Sequence, residues 1–287
     1  MSNIKDMSEK KGIYWLASYP KSGNTWFRVF LAHLLEPDGK QLGLDEIATG
    51  AIASARGWVD QALGFDSADL DPDELDQLRP AVYAWHADQL NAVGYHKIHD
   101  AYTVLPCGTP MIPATGCRGA LYFIRNPLDV AISYANHASC TLDQSIQFMG
   151  NPEAAFCKNR KRQDNQLRQR LLSWSGHVQS WTRTNNIPSL VLRYEDMKLN
   201  PLPTFTHAVQ FLQIEASPAR IEKALADASM ERLQELEQTG GFSEKPAKTR
   251  HFFRKGIVGD WKNTLNHRQI DQIIQDHGET MRNYGYL

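Results

Sequence analysis

Residues 18–25, SYPKSGNT, set one lysine, a glycine and several hydroxyls between two apolar runs. Upstream, Ile13–Ala17 is of strand length; downstream, Trp26, Phe27, Phe30, Leu31, Leu34 and Leu35 recur at helical spacing. The stretch between them is therefore a strand-to-helix turn. Amide N–H groups at a helix start, the positive end of the helix dipole, Lys21 and the hydroxyls of Ser22 and Thr25 together suit phosphate or sulfate. A plain turn is the alternative, but it gives no reason to collect a lysine and hydroxyls there. The spacing is not the common nucleotide loop G-x-x-x-x-G-K-[ST], because Lys21 precedes Gly23 and no earlier glycine stands in the turn. It is not G-x-G-x-x-G either.

Three further stretches carry residues of the same chemical kind. In LYFIRNPLDVAISYANH, a strand ends at Arg125, Asn126 and Pro127 turn the chain, and a helix follows, with Pro127 suited to its first position. Arg125 at the strand end and Ser133 two turns into the helix could converge on a second anion; an arginine paired to a surface carboxylate is the alternative. VLRYEDM reads as a strand followed by Tyr194 and two acids, and alone says little. In FFRKGIVGDWKNTL, Arg254 and Lys255 precede Gly256, and Gly259 and Asp260 follow. Two cations beside bare amides fit a phosphomonoester, or else an ordinary basic surface loop.

The elements that must position these residues alternate along the chain. Strand-like runs lie at Ile13–Ala17, Ala81–Trp85, Gly119–Ile124 and Ser189–Arg193, with helical patterns at Trp26–Leu35, Leu128–His137, Gln166–Thr182 and Thr204–Leu212. Such alternation predicts an α/β fold with a mainly parallel central sheet and helices on both faces. Residues 36–79 are acidic, with Asp69, Asp71, Asp73, Glu74 and Asp76 around Pro72. A solvated turn into a surface helix is expected there, with a substrate-gating insertion as the alternative. Residues 158–170 are basic, either a solvated helix face or a lid that meets an anionic ligand.

Composition narrows the function. The 287 residues are 42% hydrophobic, 10% aromatic and 22% charged, with a net charge near −1, so a sizeable core is expected without a global field for nucleic acid or membrane. No apolar run approaches the roughly 18 residues of a membrane span. The first twelve residues are polar, lack the apolar core of a signal peptide and are expected to form a flexible tail. Cys107, Cys117, Cys140 and Cys157 show no C-x-x-C pairing, which suits reduced thiols and a cytoplasmic setting.

In order and spacing, the four stretches resemble the cytosolic-type sulfotransferase family, in a bacterial-like form. The first is similar to that family's Y-P-K-S-G-T-T-W loop, the second to R-N-P-x-D-V-x-x-S-Y, the third to Y-E-D-M and the last to R-K-G-x-x-G-D-W-K. Together they cover the chain from about residue 13 to 265. The resemblance implies a P-loop-like fold, a single domain over residues 13–287 with lid or insert segments near 36–80 and 138–172, and 3′-phosphoadenosine 5′-phosphosulfate (PAPS) as sulfuryl donor. Lys21, Ser22, Gly23, Asn24 and Thr25 would then hold the 5′-phosphosulfate, Trp26 would stack on the adenine and Tyr194 would reach it. Arg125 and Ser133, joined by Arg254, Lys255 and Gly256, would bind the 3′-phosphate of PAPS or of the product PAP. Asn24 stands where the family has threonine. Ala228-Ser229-Met230 stands where many relatives show T-S-F, so Ser229 is a candidate for the nucleotide while the aromatic contact is missing, and Phe252 is an apolar wall. The family's general base lies in a K-x-H stretch; Lys97-Ile98-His99 supplies it, making His99 the candidate and His96 its competitor. Ser133 would also bond Lys21 when no acceptor is present. Residues 262–271 match the family's dimer motif poorly, so oligomeric state stays open.

The reaction implied is in-line transfer of a sulfuryl group to the hydroxyl or amine of a small-molecule acceptor. His99 takes the proton, Lys21 stabilises the leaving phosphate, and no metal is expected. A nucleotide-dependent phosphotransferase shares the strand–turn–helix start, but Lys21 is displaced and no magnesium-holding motif is recognisable. A non-catalytic PAP-binding protein would have lost Lys21 or the base. Trp58, Phe65, Tyr83, Trp85, Tyr95 and Phe148 could line an acceptor pocket or fill a core, so phenol, alcohol, natural product and carbohydrate all stay open.

Overall fold

The structure is a computed structural model that describes residues 11–37, 39–47, 49–158, 164–245, 249 and 251–287. It opens with β1 (Gly12–Ser18), α1 (Asn24–Leu35), α2 (Arg56–Leu63) and α3 (Pro72–Gln89). Next come β2 (Val93–Ile98), β3 (Cys117–Ile124), α4 (Pro127–Ala138) and α5 (Leu142–Gly150). The short strands β4 (Ala155–Phe156) and β5 (Gln169–Arg170) precede α6 (Trp174–Thr182), β6 (Ser189–Arg193) and α7 (Tyr194–Leu199). The chain closes with α8 (Pro201–Phe211), α9 (Pro218–Asp227), α10 (Met230–Gly240) and α11 (His267–Asn283). None of the described helices is long and apolar enough to cross a membrane.

This is an α/β fold whose four-stranded parallel sheet has the order β2-β1-β3-β6. β1 pairs with β2 in register from Gly12↔Val93 to Ala17↔Ile98. Every residue of β1 is buried, as a strand covered on both faces requires, and that explains the unbroken run Ile13–Ala17. Because β1 begins at Gly12, the strand reaches one residue into the expected tail; residues 1–10 of that tail lie outside the described residues.

The chain separates into two compact units. One holds residues 11–19, Gly50–Tyr122 and Pro152–Val191, with most of the sheet, α2, α3 and α6. Its core gathers Trp15, Tyr83, Tyr122, Trp174 and Trp181, with the Trp15 and Tyr83 rings 5.1 Å apart. Along the outer edge of β2, Gly50 N donates to Tyr95 O and Ala53 N to Lys97 O, so that strand's free edge is covered by chain. The other unit holds Pro20–Thr49, Phe123–Asn151 and Leu192–Leu287. Phe27, Phe30, Phe123 and Phe205 form its aromatic centre, the closest rings 4.6 Å apart.

Two expectations are corrected. Residues 81–85 belong to α3 and not to a strand. Pro80 followed by AVYAW resembles a breaker before a short apolar run, yet the helix runs through it. Asp71 caps the first turn reciprocally with Glu74, and Leu75, Asp76, Arg79, Val82, Tyr83 and Ala87 are buried at helical spacing. Residues 166–182 are helical only from Trp174, because Gln169 and Arg170 pair with Ala155 and Phe156 as β5. Residues 159–163 of the basic run lie outside the described residues. Arg168 and Arg170, at its end, pair with Asp73 and Asp76 of α3. For those two arginines the partner is the acidic helix.

Candidate active site

In the second unit, β1's continuation turns at Lys21 and enters α1. Lys21 has φ +72°, a left-handed conformation that costs a non-glycine residue about 1 kcal/mol or more and tends to collect where function demands it. Gly23 caps α1 at φ +98°, with no side chain to occupy the first amides. A Cβ there would lie 2.7 Å from Tyr194 Cδ2, so close packing against that ring also requires glycine. The Ser22 hydroxyl is buried and has no hydrogen-bond partner in the protein, a polar group left for something else to satisfy.

This turn opens into a cavity lined by Lys21, Gly23, Asn24, Thr25, Trp26, Arg125, Ser133, Tyr194, Phe252, Arg254, Lys255 and Gly256. Residues from distant parts of the sequence thus meet at one place. Lys21 Nζ sits 4.2 Å from the centre of the Phe252 ring. Arg125 donates to Lys21 O at 3.2 Å and to Ile257 O at 3.3 Å, and its guanidinium lies 4.2 Å from the Tyr194 ring. Its Nε is buried without a protein partner. Trp26 is fixed by Nε1 donating to Ala228 O at 2.9 Å. Gly256 has φ +59°, and a Cβ there would stand 2.4 Å from Met230 Cε. Three predicted residues are not among the lining: Ser22, His99 and Ser229, the last of which caps α10 by accepting from Arg232 N, leaving its neighbour Met230 in the wall.

Three carboxylates shape the site that sequence reasoning did not select. Asp129 accepts from Gly259 N at 2.7 Å and Trp261 N at 3.0 Å, which ties the late glycine loop to α4. Asp260 accepts from Arg254 at 3.1 Å and Lys255 at 3.0 Å. Burial works against its ionisation, yet those two cations hold its carboxyl below the usual range. Glu195 accepts from Asn126 N at 2.9 Å and from the Tyr286 hydroxyl at 3.0 Å, which fixes the turn after Arg125; burial pushes its carboxyl up. Asp129 and Asp260 stood inside quoted motifs, but their acidic type concealed a role beside anion-binding cations.

His99 belongs to the first unit, one residue beyond β2, and is half-buried. Its Nδ1 lies 2.8 Å from Ser18 O and 3.3 Å from Ser18 Oγ. A carbonyl only accepts, so Nδ1 carries the proton in the neutral ring and Nε2 holds the lone pair. That tautomer is the one a proton acceptor needs. His96 is placed differently. Its Nδ1 lies 3.0 Å from Ala51 O, its Nε2 lies 3.3 Å from His86 Nε2, and its ring stacks on Trp58. Burial pushes it down to about 4, which marks a neutral core histidine with both nitrogens engaged.

A helix N-terminus, a lysine and three further cations at one cavity, in an α/β protein, are suited to a polyanionic ligand. The chain belongs to the sulfotransferase domain family, whose model matches residues 12–285, and it is therefore a sulfotransferase. It is 25% identical over 275 residues to flavonol 3-sulfotransferase of Flaveria bidentis, covering 90% of this chain and 78% of that one. Against sulfotransferase 1E1 of Mus musculus it is 24% identical over 279 residues, 93% of this chain and 82% of the other. Among solved structures, a mouse sulfotransferase complexed with PAP superposes with a TM-score of 0.61 at 18% identity, covering 98% of this chain and 88% of that one. Retinol dehydratase in a complex with retinol and PAP gives 0.63 at 18% identity, over 97% and 84% of the two chains. These superpositions establish the P-loop-like sulfotransferase fold.

Proposed function

We propose that the chain transfers a sulfuryl group from PAPS to a hydroxyl or amine of a small-molecule acceptor in the cytoplasm. The observation that carries this reading is the meeting of two anion-binding groups in one cavity: the Lys21–Asn24 turn, and Arg125 with Arg254, Lys255 and Gly256. A single phosphate would need only one of them. A nucleotide phosphorylated at both 3′ and 5′ positions engages both, with Trp26, Tyr194 and Met230 offering apolar surface to its base. The buried Arg125 Nε is a donor that such a ligand would satisfy. Named relatives that were solved with PAP support the same donor.

In the reaction, the acceptor oxygen or nitrogen bonds to sulfur as the bond from sulfur to the bridging oxygen breaks. His99 Nε2 takes the acceptor's proton, and PAP leaves with the negative charge. Lys21 and the first amides of α1 are arranged before the reaction where that charge grows, which lowers the barrier by electrostatic stabilisation. A positioned base contributes roughly 10²–10⁴-fold.

A thermal-shift titration with PAP, ATP and AMP, with and without magnesium, tests the donor. A rise in Tm with PAP that needs no magnesium and exceeds that of ATP is expected. A preference for ATP with magnesium would overturn the reading in favour of a phosphotransferase. Lys21→Ala should lower kcat far more than it weakens PAP binding, and His99→Asn should lower kcat by roughly 10²–10⁴-fold while PAP still binds.

A further inference from the structure

We propose that His177, oriented by Tyr122, is a positioning residue for the base His99; this rests on the assignment of His99 made above. His99 follows the last ladder pair of β2, Ala17↔Ile98, so its carbonyl lies past the end of the sheet's hydrogen bonding. His177 Nε2 supplies a partner at 3.0 Å. Because a carbonyl only accepts, Nε2 carries the proton, and Nδ1 must then accept the Tyr122 hydroxyl, which lies 2.9 Å away. The tyrosine therefore selects the tautomer that can donate to His99. In the other tautomer a lone pair would face the carbonyl oxygen.

His177 is wholly buried on α6, a helix whose start is capped by Ser173. Burial pushes it down to about 4, so it is neutral at physiological pH and holds its donor geometry without titrating. Its ring also meets Tyr19 edge-on, 5.5 Å between centres, two residues before Lys21 in the chain. The base is thus held twice: Ser18 O fixes the ring through Nδ1, and His177 fixes the backbone from which the ring projects. Buried imidazole nitrogens need partners wherever they sit, so it is the identity of this partner, the carbonyl of His99, that ties His177 to the base.

A double-mutant cycle on the full chain separates positioning from packing. His177→Leu should lower kcat by roughly 10²-fold, the scale of a misplacement of about 1 Å, with the Kd for PAP within about twofold of wild type. His177→Gln keeps a side-chain N–H and should restore most of the loss, and Tyr122→Phe should give a smaller loss in kcat alone. In a His99→Asn background, where residual transfer no longer uses the base, His177→Leu should cost nothing further. Equal losses in both backgrounds, or a His177→Gln variant as slow as His177→Leu, would overturn the positioning role. Should His177→Leu fail to fold, the Tyr122→Phe rate decides by itself: a kcat at the wild-type value would overturn it. If His99→Asn retains full turnover, the base assignment itself is wrong and the inference falls with it.

Discussion

Arg79 is wholly buried in α3 and anchors the segment that follows His99. Its guanidinium donates to both oxygens of Asp100, at 3.0 and 2.7 Å, to Asp76 at 3.2 Å, to the Tyr83 hydroxyl at 2.7 Å and to Arg168 O at 2.9 Å. Arg79→Met keeps most of the side chain's volume and removes every one of those donors. Asp76 still has Arg168 and Arg170, but among the described residues Asp100 keeps only Arg170 N at 3.3 Å. Breaking one side of a buried pair costs about 3–5 kcal/mol, chiefly through the charge left behind. Urea unfolding followed by circular dichroism measures this as a shift in midpoint.

Removing both charges, in Arg79→Met with Asp100→Asn, should recover much of the loss. A single variant within about 1 kcal/mol of wild type would refute the reasoning, as would a double variant that costs the sum of the singles.

Other expectations follow from the same contacts. Gly23→Ala meets both a left-handed backbone and the Tyr194 ring, so PAP affinity and Tm should both fall, the strain alone being about 1–2 kcal/mol; unchanged calorimetric affinity would mean the turn adapts. Asp129→Asn can accept only one of the amides of Gly259 and Trp261, and titration calorimetry should read PAP binding weaker by about tenfold or more. His277, pushed down to about 4 mainly by burial, binds a proton when unfolded but not when folded between pH 6.5 and about 4. Wild-type stability accordingly falls as pH drops through that window, and His277→Leu should flatten the acid limb by about 1.4 kcal/mol per unit in urea unfolding at pH 7, 6 and 5.

Most of what was legible in the sequence was local. β1, the Lys21 turn and α1 follow one another without a break, and a strand, an anion turn and an amphipathic helix each declare themselves within ten residues or so. Residues 81–85 and 166–173 were misread because their states depend on distant partners. The first is held helical by a capped start ten residues earlier; the second is drawn into a strand by Ala155 and Phe156. The two charge runs were visible, but their neutralisation was not, since Arg168 meets Asp73 across 95 residues of chain. The same holds for His177, whose role exists only once α6 stands beside the end of β2.

Charge shows why a polyanion site hides in a chain of net charge near −1. Lys21, Arg125, Arg254 and Lys255 line the cavity together with Asp129 and Asp260, so bulk composition averages them away. The two acids do different things. Asp129 directs its charge at two backbone amides and so builds the glycine loop, whereas Asp260 lies directly on Arg254 and Lys255. On the proposed reading, an arriving 3′-phosphate would have to share those cations with Asp260, while a group at the Lys21 turn would meet the start of α1, where no side chain caps the first turn. Asp260→Asn should accordingly tighten PAP more than it tightens AMP, which lacks the 3′-phosphate; equal effects on the two would place Asp260 outside that competition.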